Sequence, residues 1–386
     1  MDFRFTPEQE TFRRQLAEFL IAELKNYNIA DYTWGDAYDP AFTRRLGEQG
    51  YIGLAWPKEL WGGGRSLVDL QICTEEMTYR GAPMMGHWIA ERLVAPALIG
   101  CGTPEQRALL LPSIRNGEIM CCVGLAEPHA GSDLAAIETR AVEKDGYFEV
   151  NGQKLFITGG QWSRWCMLLA RTGTPESRHR GLSALLIDMK SPGITVRPLA
   201  SLYGNYPFSH IFFDNVRVPV NMLVGEKNAG FKITTTFMNH DRSSVELIGI
   251  CRRVLDSLVK YCHDMGIWHK IEVRQRLAEV AIEIGVGKWI CYRAGWLLDQ
   301  GKPMDVESSI AKVYASDLMQ KVANEALRVY QLNGIAIKES PEAHKVVWLQ
   351  NLYGNCLART IGGGSDEMMR HVIAAWGLGL GLGGGK

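Results

Sequence analysis

Three kinds of residue in this sequence could carry chemistry, and each has a plainer role to be weighed against it. The first is a carboxylate beside an arginine, Asp241–Arg242, at the end of the run Phe237-Met238-Asn239-His240-Asp241-Arg242. Taken alone, such a pair on a helix is an exposed carboxylate satisfied by a cation. His240 is a weaker candidate, and Glu91 reads as a surface or capping carboxylate. The second is a glycine triplet, found at 62–64 and again at 362–364. A phosphate loop needs such a run to leave a strand and open a helix within a βαβ unit, and neither triplet does. The third is a set of 9 cysteines without metal-ligand spacing. Cys121–Cys122 sits in an apolar run, and Cys251, Cys262, Cys291 and Cys356 fall in helical stretches. They read as free buried thiols in a reducing compartment, and no metal site is expected.

The elements that must position these residues come in three blocks. The chain has 386 residues, room for two or three domains. Lys+Arg and Asp+Glu number 42 each, which argues against a large phosphate-backbone footprint and hence against nucleic acid as a partner. The start, MDFRFTPEQE, has no signal-peptide character, and no run is apolar for long enough to span a membrane. The expected location is the cytoplasm, without membrane insertion.

Residues 1–120 read as a helical domain. Thr6-Pro7-Glu8-Gln9 and Thr103-Pro104-Glu105-Gln106 are capping boxes with proline at the first helical position. Pro40 to Gly50 and Leu67 to Arg80 are further helices. Residues 121–225 change to short apolar or alternating runs, such as Trp165 to Arg171, Leu182 to Asp188 and His210 to Val218. Turn signals at Asp145-Gly146 and Asn151-Gly152 separate them, so a small β domain is predicted. Residues 226–386 return to helix, with long periodic stretches over Phe231 to His263, Ile271 to Gln300, Asp305 to Tyr330, Pro341 to Thr360 and Ser365 to Trp376. Helices of that length imply an antiparallel bundle. A Rossmann alternation of strand and helix is missing.

Five motifs then occur in one order. They are Leu125-Ala126-Glu127-Pro128-His129-Ala130-Gly131-Ser132-Asp133; Asn151 through Gly160; Phe212-Phe213-Asp214-Asn215-Val216-Arg217-Val218-Pro219, with Leu223-Val224-Gly225-Glu226 after it; Arg276-Leu277-Ala278-Glu279; and Ser365-Asp366-Glu367-Met368-Met369-Arg370. Together they resemble the flavin-dependent acyl-CoA dehydrogenase family over residues 125–370. The resemblance implies a mainly α fold with a central β-barrel: an N-terminal α-helical domain, a middle β-barrel domain and a C-terminal four-helix bundle. It implies FAD as cofactor and an acyl-CoA thioester as substrate. It also implies an electron-transferring flavoprotein as acceptor and a tetramer, either a homotetramer or a heterotetramer with a related chain.

Residue roles follow by position in the motifs. Leu125, Ala126, Gly131, Ser132, Phe156 and Thr158 should line the flavin, with the Thr158 hydroxyl toward N5. Phe156 stands where tryptophan is usual, and Ala126 where threonine is common. Gln331 and Gly334 match the adenine and pyrophosphate end, Gly362, Gly363 and Gly364 should allow close backbone approach to the cofactor, and Gly364 and Ser365 are implied as cofactor contacts. The family's Arg-x-x-Phe-Gly segment is absent, and His263 to Lys270 stands in its place. Ser132, Phe237, Asn239, Arg242 and Gly363 are implied as substrate contacts. The stretch Tyr203 to His210 lies where the family meets the CoA chain.

The reaction needs a carboxylate in a dry pocket to take the α-proton. Many members carry it directly before Gly-Thr ahead of the last helix, and that position is Gly363 here. A minority, including isovaleryl- and long-chain-type enzymes, carry it on the first bundle helix before an arginine. Asp241, followed by Arg242, occupies that alternative. Its reach is one methylene shorter than that of Glu, which suggests a branched, cyclic or otherwise bulky acyl group. Two other readings stay open: a non-catalytic chain that completes the FAD site of a partner, and an acyl-CoA oxidase.

Overall fold

A computed structural model describes residues 4–27, 38–201, 206–241, 243–331 and 347–381; the side chains of 239–241, 347 and 350 lie outside it. The chain begins with α1 (Pro7–Glu23), α2 (Pro40–Glu48), α3 (Leu67–Tyr79), α4 (Met85–Ile89), a π-helical turn (Ala90–Val94), α5 (Ala95–Cys101) and α6 (Pro104–Arg115). Strands follow: β1 (Cys121–Gly124), β2 (Arg140–Lys144), β3 (Tyr147–Thr158), β4 (Trp165–Arg171), β5 (Leu182–Asp188), β6 (Ile194–Leu199), β7 (Phe208–Pro219) and β8 (Leu223–Val224). The chain then returns to helix in α7 (Gly230–Asp241), α8 (Val245–Asp264), α9 (Ile271–Asp299), α10 (Asp305–Tyr330), α11 (Val347–Arg359) and α12 (Asp366–Val372).

Helix starts follow the sequence signals. The Thr6 hydroxyl accepts from Gln9 N at 3.2 Å while Gln9 Oε1 accepts from Thr6 N at 3.0 Å, and Thr103 with Gln106 repeats the pair. Each box satisfies two donors that a bare helix start would leave without partners. The long stretch after Phe231 is not one helix. It breaks after Asp241, where Ser244 takes φ 56°. The serine pair Ser243–Ser244 offers no helix-stabilising side chain at that point.

The chain divides into two compact units. One comprises Trp34–Gly64 and Pro83–Asp241. Its sheet has the order β6-β7-β3-β2-β4-β5-β8, with β1 pairing parallel to β4. Among the described residues this sheet is not closed into a barrel, contrary to the expectation. Its ends are β6, whose exposed alternate residues suit an edge, and β8, two residues long. The middle is nearly cut as well, since β2 meets β4 through the single pairing Arg140↔Arg171. The two halves instead share one core, in which Phe148, Val150, Ile157 and Phe213 meet Leu168, Leu185 and Ile187. Strands β4 and β5 are buried along nearly their whole length because α7 packs on them.

Asp145–Gly146 forms the predicted β2–β3 turn, with Gly146 at φ 81°. Asn151–Gly152 does not turn the chain. Strand β3 runs through it with a bulge, and the backbone passes so close to Thr139 that a Cβ on Gly152 would lie 2.7 Å from the Thr139 Cα.

The other unit comprises Met1–Thr33, Arg65–Ala82 and Arg242–Lys386 and, where described, is helical. Helix α3 packs on α1, α8 and α9, and α10 packs on α8, α9, α11 and α12. Two adjacent buried carboxylates tie four of these together. Glu75 on α3 accepts from the Tyr292 hydroxyl of α9 at 2.7 Å and pairs with Arg252 of α8 and Lys288 of α9. Its neighbour Glu76 pairs with Arg13 of α1 at 2.7 Å. Burial pushes the Glu75 carboxyl up, but Lys288 and Arg252 outweigh it and hold the group below the usual range.

All nine cysteines are free; Cys101 is exposed and the others are buried. Among the described residues no group of His, Cys, Asp and Glu could hold a metal, and no helix is long and apolar enough to cross a membrane.

Candidate active site

Lys154 organises the first part of the site. It lies on β3 with no exposed surface, and its Nζ donates to the Leu125 carbonyl and to Glu127 Oε1, both at 2.8 Å. Desolvation brings its pKa down to about 8, against the pull of Glu127. Glu127 also accepts from the backbone N–H groups of Glu138 at 2.7 Å and Thr139 at 2.9 Å. Burial raises the Glu127 carboxyl, and Lys154 with these donors reverses the shift to a net lowering. One buried pair thus clamps both ends of the loop 125–139 onto β3.

That loop carries several expected cofactor residues. Leu125 and Ala126 are half-buried, and the Ala126 carbonyl accepts from Leu155 N at 2.9 Å. Glu127 and Ala130 exchange backbone hydrogen bonds of 2.9 and 3.1 Å across a two-residue turn, leaving Gly131 and Ser132 exposed just beyond it.

Phe156 is the unusual residue of β3. The β3–β7 register slips between Lys154 and Ile157, and Phe156 takes φ 58° within the slip. A left-handed aromatic in a strand is strained by about 1–3 kcal/mol. The consequence is a ring 63% exposed, with Phe208 edge-on to it at 6.2 Å and 84°. Thr158 is half-buried two residues on, paired in register with Phe208. The structure therefore brings Leu125, Ala126, Phe156 and Thr158 onto one stretch of the sheet. Nothing in the sequence marks the slip.

Helix α7 carries the expected base. Its first residue, Gly230, lies so close to β5 that a Cβ would sit 2.5 Å from the Ser183 carbonyl carbon. Ile233, Thr234 and Phe237 are buried, and burying the two apolar ones contributes on the order of 3–5 kcal/mol. Asp241 ends the helix. Its side chain and those of Asn239 and His240 lie outside the described residues, as does Arg242.

Beneath α7 lies a polar cluster that sequence reasoning missed. The π-helical turn packs against α7 and carries Glu91 and Arg92, with His87 just before it on α4. Glu91 is buried rather than at the surface, and its Oε1 accepts from Gly53 N at 2.7 Å. Burial pushes its carboxyl up despite Arg92. His87 is pushed down to about 3 by burial and then by Arg92, and its Nδ1 has no hydrogen-bond partner among the described residues. The partner of Glu91 is a backbone amide far away in sequence, which no local pattern could have announced.

The remaining expected residues fall in the helical unit. Gln331 follows α10, exposed, with φ 54° and ψ −132°. Gly334 lies outside the described residues. Gly363 and Gly364 are left-handed, at φ 72° and 98°, and a Cβ on Gly363 would meet nothing within 4 Å. Asp366 fixes this turn: its N–H donates to the Thr360 carbonyl at 2.9 Å, and its buried carboxylate takes Lys312 Nζ at 2.5 Å and the Ser316 hydroxyl at 3.0 Å. Ser365 caps α12.

Comparison with known proteins identifies the family. The family models for the N-terminal, middle and C-terminal domains of acyl-CoA dehydrogenase match residues 6–118, 122–216 and 228–378. Acyl-CoA dehydrogenase FadE26 of Mycobacterium tuberculosis is 32% identical over 405 residues, covering 98% of this chain and 99% of that one. Among solved structures, the Tcur3481-Tcur3483 steroid ACAD aligns with a TM-score of 0.91 at 27% identity, covering 99% of this chain and 100% of that one. The ChsE4-ChsE5 complex from Mycobacterium tuberculosis gives 0.87 at 30% identity, with 99% and 100% covered. With all three domains matched in order, this chain is an oxidoreductase that belongs to the acyl-CoA dehydrogenase family.

Proposed function

We propose that this chain catalyses FAD-dependent α,β-dehydrogenation of an acyl-CoA thioester to the 2-enoyl-CoA, with Asp241 as the base. The observation that carries this reading is Phe156, a strained, solvent-facing ring held on a clamped stretch of sheet beside Leu125, Ala126 and Thr158. An exposed aromatic face with half-buried apolar neighbours fits a planar ring system. Bound FAD would supply the hydride acceptor for the β-carbon.

The chain's own residues supply the rest. Phe156 offers the stacking face, and Leu125, Ala126 and Thr158 form the wall around it. Gly131 and Ser132 lie next to that wall, free of a large side chain. Gln331, Gly334, Gly364 and Ser365 take the more distant parts of the cofactor, as the family motifs imply. Asp241 abstracts the α-proton, and Arg242, Asn239, Phe237 and Gly363 position the acyl thioester around it. Electrons then pass to an electron-transferring flavoprotein, and the assembly is a tetramer in the cytoplasm. The shorter reach of Asp suits a branched, cyclic or bulky acyl group.

Anaerobic mixing of the purified protein with a panel of acyl-CoAs tests this. The flavin colour should bleach with the wild type and persist in Asp241→Asn. Full bleaching by that variant removes Asp241 from the role of base.

A second reading is a chain that completes the FAD site of a related partner. Gly363 favours it, since the usual base position carries no side chain. The two similar solved structures also have names that pair two proteins. A tetramer of this chain alone that retains stoichiometric FAD on gel filtration would count against it.

A further inference from the structure

The turn Pro175–Gly181 joins β4 to β5 and exposes Arg178, His179 and Arg180 in succession. None of the three has a role in the function proposed above. Arg178 is the unusual one. Its backbone takes φ 45° and ψ −125°, a conformation open to glycine and strained for a residue with a side chain. Arg171, buried on β4, holds that strain in place. Among the described residues its guanidinium donates only to backbone carbonyls. Those of Ile137 at 3.0 Å and Ala135 at 2.7 Å belong to the loop 125–139, and those of Thr174 and Arg178, both at 3.2 Å, belong to the turn and its entry. Arg171 thus ties the turn to the loop that bears Ser132.

The Arg178 side chain reaches the same loop. Its Nη2 donates to Asp133, the residue after Ser132, at 2.9 Å to Oδ2 and 3.2 Å to Oδ1. The two side chains are 61% and 57% exposed, and an ion pair in that setting adds little stability. The pair therefore does not account for the strain; its effect is to aim the guanidinium. Only Nη2 is engaged, so the donors on Nε and Nη1 have no acceptor among the described residues. Asp133 and Glu176 balance Arg178 and Arg180 in charge, so any preference for an anion here comes from the aimed guanidinium and not from a net field. Free donors on an exposed arginine suit phosphate, which they take by charge-assisted hydrogen bonds.

The turn also meets α7. The His179 ring lies 5.6 Å from that of Phe231, in the first turn of the helix. Asp241, the proposed base, ends the same helix, about 15 Å further along its axis. An extended pantetheine arm sets a thioester apart from its pyrophosphate by a similar length. We propose that Arg178 binds a phosphate group of the CoA thioester and so selects CoA esters over thioesters without phosphate. This rests on the functional reading above, which supplies the thioester.

The test is titration calorimetry on the holoprotein with coenzyme A, dephospho-coenzyme A and pantetheine. Wild type should bind coenzyme A at least about tenfold more tightly than pantetheine, and Arg178→Gln should remove about tenfold of that affinity while leaving pantetheine binding where it was. Arg178→Gly removes the cation and relieves the strain together. Its melting temperature should hold or rise while coenzyme A binding falls, a combination that a merely structural arginine would not produce. Dephospho-coenzyme A binding as coenzyme A does assigns the pyrophosphate to Arg178; binding as pantetheine does assigns the 3′-phosphate. Equal wild-type affinity for coenzyme A and pantetheine, unchanged coenzyme A affinity in both variants, or equal losses for coenzyme A and pantetheine overturns the proposal. The functional reading is tested apart from this. Failure of acyl-CoAs to bleach the flavin, with this binding pattern intact, sinks that reading and leaves the phosphate contact standing.

Discussion

Lys154 and Glu127 face each other at 2.8 Å with almost no solvent on either side chain, and the loop that bears Leu125, Ala126 and Ser132 is attached to the sheet through that contact. Removing one partner leaves a buried charge without its counterpart, which costs roughly 3–5 kcal/mol. Lys154→Met and Glu127→Leu should each lower unfolding stability by that amount and release the cofactor. The double variant should be more stable than the sum of the singles predicts, because no charge is left stranded. Additive losses in denaturant unfolding would show that the two do not act as a pair.

Stability and binding should part company at Phe156. Phe156→Gly removes a side chain that is mostly in solvent and relieves its left-handed strain, at the entropic cost of a glycine. Those terms nearly cancel, so the melting temperature without cofactor should stay level or rise slightly. Flavin retention, read from absorbance of the purified protein, should fall sharply. A variant that melts early yet keeps its flavin would make Phe156 a packing residue.

What could be read from the sequence divides along the same line as these two sites. Helix α10 was legible to the residue, since Ile310, Val313, Leu318, Val322 and Leu327 repeat at helical spacing. The capping boxes were legible because their geometry is local. Asn151–Gly152 was misread because the same dipeptide serves a turn or a bulge, and pairing with β7 decides which. The open sheet was not legible, because it depends on how short β8 is and on one pairing between β2 and β4. The residues expected at the cofactor came from motif order, whereas the slip that turns Phe156 outward and the burial of Glu91 come from long-range contacts.

Two glycines should rank in an order their backbone angles do not suggest. Gly363 is left-handed but open, so Gly363→Ala costs only conformational strain, about 1 kcal/mol. Gly249 lies within helix α8, yet a Cβ there would stand 2.0 Å from Thr78 Oγ1 and 2.6 Å from the Glu75 carbonyl oxygen. Gly249→Ala must push α8 away from α3 and should cost about 2–3 kcal/mol. Equal losses in chemical denaturation would mean that the α3–α8 contact is looser than described.

His87 should make the fold sensitive to mild acid. Burial holds its pKa near 3 in the folded protein, against an ordinary value of 6.5. Above pH 6.5 the ring is neutral in both states and contributes nothing. Between 6.5 and 3 the unfolded chain takes up a proton that the folded chain refuses, so stability falls by up to about 1.4 kcal/mol per pH unit as acid is added. Glu91 acts in the opposite sense. Its carboxyl is raised by burial, so its contribution grows as pH falls through the folded value. The wild-type profile is therefore a sum of opposing slopes, and a single curve does not separate them. His87→Leu isolates the first: its stability should decline less steeply than that of the wild type between pH 6.5 and 4.5. Parallel curves for the two proteins would mean that His87 is protonated within the fold and that its surroundings hold a counter-charge.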